Sequence, residues 1–160
     1  MLDLTSPRWE ELTQAYGAAG DVPRLLGALT RVDEGAARAE LWFALWRMLH
    51  RPDAAYSASY AAVPHLLRVG RSLPMADHAQ AMHLASRIEI ARREPASDPM
   101  PPDLVDAYAA AMEGLPRDVA ASSSDPWPPD VARICAAALL VGKRHPEIAR
   151  ELLDAGTAAG

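Results

Sequence analysis

Imidazole changes charge near neutral pH and is the commonest metal ligand, so the five histidines are the first residues to test for chemistry. His78 and His83 are five positions apart, which on a helix sets them roughly 140° apart and makes them poor joint ligands. His50 and His65 flank the turn Arg51-Pro52-Asp53. Across that turn they could meet with Asp53 as a metal or acid–base cluster. The competing reading lets His50 close its own helix by bonding last-turn carbonyls, with His65 exposed or partly buried. The carboxylates are scattered: Glu10, Glu11, Asp33, Glu34, Glu40, Glu89, Asp103 and Asp106 form no motif. Neither Glu-x-x-His nor His-Glu-x-x-His occurs, which argues against a ferritin-type di-iron site and a zincin. Nucleophile-elbow, P-loop and dinucleotide signatures are also absent. The single cysteine, Cys135, has no partner for an intrachain disulfide and reads as a small buried hydrophobe. No catalytic residue, metal or cofactor is assigned from these motifs.

The elements that must position these residues read as helices. Alanine is frequent and loses no side-chain entropy in a helix, whereas residues favouring strands never alternate over a useful length. The stretch from Leu41 to Gly70 is expected to be an αα-hairpin broken at Arg51-Pro52-Asp53, because the residue before proline avoids helical geometry. Trp42 and Trp46 fall one turn apart on its first helix, a spacing that reads as core or inter-repeat packing more than as a ligand box. Pro64 lacks an N–H and should kink or restart its second helix. Upstream, Ser6 and Pro7 are expected to open a helix ending near Gly17, and Asp21 to cap another running to Val32. Asp33-Glu34 places negative charge at the next helix start. Downstream, helices are expected over 76–93, from Asp103 to an interruption at Pro116, after Pro129, and from His145-Pro146. Proline-rich loops separate them at 94–102 and 122–129, the first being the expected place for a partner-specific contact. The tail from Ala155 should fray.

These elements predict an all-α protein, an α-α superhelix of about seven or eight helices in a single domain. The expected hairpins are 6–32, 33–70, 75–121 and 128–155, a spacing of roughly 40–50 residues that matches HEAT and armadillo units. The net charge of −5 and the lack of any long basic run disfavour DNA or RNA, which require a cationic footprint. No apolar run approaches the length of a membrane span, and no signal peptide opens the chain, so a cytoplasmic location is expected.

The segment Leu45-Trp46-(x)3-His50-(x)5-Tyr56-Ser57-Ala58-Ser59-Tyr60-Ala61-Ala62-Val63-Pro64-His65-Leu66 resembles a group of bacterial HEAT-repeat-like proteins. In that group a tryptophan helix runs into a histidine turn and then a Tyr-x-Ala-Ser/Thr-x-Ala-Ala-Val-Pro helix. The resemblance implies a helical-repeat fold and brings no catalytic residue. Where the group has a Gln-Gly-Thr-Val-like turn, this chain has Arg51-Pro52-Asp53-Ala54, a departure at any surface built on that turn. Proteins of this look include candidates for immunity proteins that neutralise a toxin.

The expected function is therefore a non-catalytic protein-binding module, of immunity or adaptor type, for a protein partner that its acidity suggests is basic. The candidate binding residues are Trp42, Trp46, His50, Asp53, Tyr56 and His65. The alternatives are a small HEAT-like enzyme acting on nucleic acid bases and a self-associating structural domain.

Overall fold

A computed structural model describes residues 1–33, 35–122 and 126–156. Glu34, the Ser123-Ser124-Asp125 part of the second loop and the tail from Thr157 lie outside the described residues. Seven α-helices occur among those described: α1 (Val22–Ala28), α2 (Ala36–Leu49), α3 (Ser57–Gly70), α4 (Met75–Ala91), α5 (Val105–Ala121), α6 (Pro129–Gly142) and α7 (Pro146–Ala155). The helices pack against one another as an all-α, helical-repeat fold. Two short antiparallel ribbons interrupt them, β1 (Thr13–Gln14) with β2 (Gly17–Ala18) and β3 (His50–Arg51) with β4 (Ala54–Ala55).

The expected first helix is not formed. Ser6 does cap, accepting from the Arg8 amide at 3.2 Å, but only a 3-10 turn follows, Pro7–Glu11. Leu12 then adopts extended backbone, and Gly17 turns the chain at φ +129°, a conformation L side chains rarely adopt. The physical reason lies in Trp9 and Leu12, both 1% exposed. A tight turn with an extended exit delivers both into the core.

The break after α2 is ordered as the β3–β4 ribbon, pairing His50 with Ala55 and Arg51 with Ala54 around Pro52-Asp53. It keeps α2 apart from α3, so the expected 33–70 hairpin is not the packing unit. Instead α3 packs most extensively on α4 through the tight turn at Arg71-Ser72-Leu73, and α5 packs on α6. The expected 75–121 pair is likewise displaced by one helix.

The arrangement has two layers, with α1, α3 and α5 side by side and α2, α4 and α6 behind them. Helix α7 pairs with α6 but also reaches α4, lying along the second layer. Helix α3 is the centre: every residue from Ala58 to Leu67 is buried, and the helix runs unbroken through Pro64 instead of restarting there. Tyr60, Leu66, Met82, Leu84 and Ile88 fill the space between α3 and its neighbours.

Close approach of α3 and α4 depends on Gly70, where an added Cβ would lie 2.7 Å from the Ala81 Cβ and 3.3 Å from the His78 ring. Neither neighbour is a flexible chain end that can swing away. Gly70→Ala is expected to lower stability by about 1–3 kcal/mol through overpacking, read from urea midpoints at an unchanged m-value. An unchanged midpoint would mean that the two helices separate at negligible cost.

No helix among the described residues is long and apolar enough to cross a membrane.

Candidate functional site

Helices α2 and α4 meet along a seam that is aromatic and polar instead of aliphatic. On α2 the side chains of Arg38, Trp42 and Trp46 recur every fourth position, and His50, the C-cap that opens β3, continues the series. Opposite them, Asp77, Gln80, His83 and Arg87 recur every third or fourth position on α4. The contacts run in step from one helix start to the other, so the two helices are parallel. Arg38 Nη1 donates to Asp77 Oδ2 at 3.1 Å, and the Trp42 indole N–H donates to Asp77 Oδ1 at 2.7 Å. Arg38 Nη2 also reaches the Val32 carbonyl at 2.7 Å, although its buried Nε has no partner. One turn further, the Trp46 N–H donates to Gln80 Oε1 at 3.1 Å.

Trp46 is only partly buried and carries two imidazoles edge-on. Its ring centroid lies 5.5 Å from that of His50 at 90°, and 4.9 Å from that of His83 at 70°. Burial pushes His50 down to about 4, the Arg87 charge adds to the shift, and Asp53 opposes it. Burial likewise pushes His83 down to about 4, with Arg87 and His50 contributing. Both rings are therefore neutral at pH 7.

Two hollows open along the seam and share Trp46. One, of about 380 Å³, is bounded by Gly35, Trp42, Phe43 and Asp77 among others. The second, of about 470 Å³, lies where α2 ends against α4 and α7, and is lined by His50, Pro52, His83, Arg87, Arg150 and Asp154 as well as Trp46. Arg87 Nη1 meets Asp154 Oδ1 at 2.5 Å, and Arg150 pairs with Glu94.

The outer side of α2 carries a different feature. Tyr16 and Phe43 are each 58% exposed, and the Arg47 guanidinium lies 5.5 and 5.6 Å from their ring centroids. Arg47 Nε and Nη2 also donate to the Tyr16 hydroxyl at 3.1 and 2.9 Å. The β1–β2 ribbon supplies Tyr16 from its turn, and this is what the extended N-terminal segment builds.

The anticipated His50–Asp53–His65 cluster does not form. His65 is 2% exposed and faces the N-terminal segment: its Nε2 bonds the Leu2 carbonyl at 2.7 Å and its ring packs beside Trp9. Helix α3 carries it there because the ribbon turns His50 toward α4 instead. Asp53 is exposed at the ribbon turn. Tyr56 sits before α3, its backbone N–H donating to Ser59 Oγ at 3.0 Å as half of a capping box. Trp42 is buried and committed to Asp77, whereas Trp46 and His50 remain beside open space.

Sequence reasoning missed His83, Arg87, Asp77 and Gln80 as a working face. Their spacing of three or four places them along one edge of α4, beside its apolar stripe, but the sequence holds no signal of which helix that edge would face. Among the described residues no three His, Cys, Asp or Glu are grouped so as to hold a metal ion. No protein-family model, curated protein or solved structure matches the chain.

Proposed function

We propose that this protein is a non-catalytic helical-repeat module that binds a protein partner through the outer side of α2, in an immunity-type or adaptor role. The observation that carries the reading is the exposed Tyr16–Arg47–Phe43 stack. Tyrosine and arginine are the residue types that dominate binding energy at interfaces, and aromatic side chains are held there with little entropy left to lose. Here the stack is preordered by two hydrogen bonds and two ring contacts, so presenting it costs little on association. The hollow beside Phe43 and Trp46 gives a partner side chain somewhere to insert. The two-layer packing also supports the resemblance to HEAT-repeat-like proteins. The base-modifying alternative has less behind it: Trp42, one of the two tryptophans it would use, is buried and committed to Asp77, and the net charge of −5 disfavours a nucleic-acid channel.

A photo-crosslinking residue in place of Phe43 is expected to capture one partner in the native cell, whereas the same residue at Val105, also exposed, captures none. Tyr16→Ala should reduce the yield about tenfold, the worth of one interface anchor. Equal labelling from both positions would reject the assignment of this face. An adduct of two copies of the chain would replace the reading with self-association.

A further inference from the structure

We infer that the cleft between the end of α2, α4 and α7 binds a compact oxyanion, a carboxylate or phosphate group, seated on Arg87 between the His50 and His83 rings. The site is separate from the exposed aromatic stack and holds whether or not a protein docks there. Its wall offers the Arg87 guanidinium, one nitrogen of which meets a carboxylate, and beside it an imidazole nitrogen that has no partner. A neutral imidazole has one N–H and one acceptor nitrogen, yet His83 Nε2 is buried with no partner. Buried polar atoms without a partner are rare, and this one belongs to a ring that lines the same hollow as Arg87. Arg87 is mostly buried, with 17% of its side chain exposed, and its charge acts on both imidazoles.

A carboxylate already tests the site from one side. Asp154, on the outward last turn of α7, reaches Arg87 at 2.5 Å through a single guanidinium nitrogen. Guanidinium presents five N–H groups in a fork suited to oxyanions, so one monodentate contact leaves the fork incompletely used. Three acids oppose an incoming anion: Asp154 itself, Glu94 on Arg150, and Asp53, whose field reaches His50. They keep affinity modest and make Asp154 a built-in competitor.

That competition gives a test which a purely structural cluster would not pass. Histidine ring resonances of the full chain are followed by NMR during titration at pH 7 and low salt, with inorganic phosphate in one arm and acetate in the other. His50 and His83 are expected to shift saturably with a Kd on the order of 1 mM, while His65 and His78 stay still. Asp154→Asn should tighten binding about fivefold, the scale of one partly exposed charge pair. Arg87→Gln should abolish it, with circular dichroism confirming its helix content. Saturation by phosphate alone identifies a phosphate ligand, and saturation by acetate alone or by both identifies a carboxylate or a general oxyanion site. Unmoved His50 and His83 rings in both arms, or an Asp154→Asn variant that binds no tighter, would overturn the inference.

Discussion

Glu89→Ala is expected to cost about 3 kcal/mol of stability, at the low end for breaking a buried pair. Glu89 is 7% exposed on the inner side of α4. Arg92 Nε and Nη2 donate to its two oxygens at 2.8 and 2.7 Å, and the Tyr108 hydroxyl donates at 2.8 Å from α5. Burial alone would raise this carboxyl, but the bonds from Arg92 and Tyr108 outweigh it and hold Glu89 below its usual range. Removing the carboxylate orphans the hydroxyl of the buried Tyr108, whose ring lies edge-on to that of Tyr60 at 5.6 Å between centroids. Arg92 retains access to water, and this is why the loss stays near 3 and not 5 kcal/mol. Glu89→Gln keeps an acceptor for Tyr108 and should lose about half as much. Urea titrations of the two variants check the order, and equal losses would show that charge, not the hydrogen bond to Tyr108, is what matters.

Acid should unfold this protein well above the pH at which ordinary carboxylates protonate. His50 and His83 bind protons near pH 6.5 when unfolded but only near pH 4 when folded. Between those values the unfolded chain holds more protons than the native one, so stability rises with pH and falls on acidification. Full development of the two shifts removes about 3 kcal/mol for each ring by pH 4. Burial depresses His65 and His78 in the same direction. Glu89 adds to the acid loss at lower pH, because its depressed carboxyl stabilises the fold only while ionised. Urea midpoints should drop steeply from pH 7 to pH 5, and the His50→Asn, His83→Gln double variant should flatten that drop. A wild-type profile that is level over this range would mean that both rings protonate in place.

The helical class was legible in the chain because alanine content and stripes such as Leu45 and Leu49, or Leu84 and Ile88, report local geometry directly. Which helices pair was not. Pairing depends on whether a connection folds back tightly, and Arg51-Pro52-Asp53 reads equally as a hairpin loop or as the turn of a ribbon. The N-terminal segment failed for a related reason: Trp9 and Leu12 carry helical spacing but are also the spacing of a 3-10 turn with an extended exit. At the site, Trp46 and His50 were identifiable because aromatic and imidazole side chains stand out in an alanine-rich chain. His83 and Arg87 became meaningful only once α4 was known to lie parallel to α2. His65 illustrates the converse, a conspicuous residue whose neighbours come from the first residues of the chain.

The seam between α2 and α4 makes the molecule unequal in cohesion from one end to the other. Helix α2 is fastened inward by Leu45 and Leu49, but toward α4 it is held by indole and guanidinium hydrogen bonds. Helices α3, α4 and α6 share continuous apolar packing. Parting α2 from α4 alone exposes the polar groups of the seam and the Trp42 and Trp46 indoles, whereas freeing α2 altogether would also expose Leu45 and Leu49. Helix α2 is therefore expected to open at lower cost than the enclosed α3, but not at negligible cost. Amide protons of α2 would then exchange through this partial opening, and those of α3 only through complete unfolding. A stack fastened this way is held less firmly at its α2 end than at its centre.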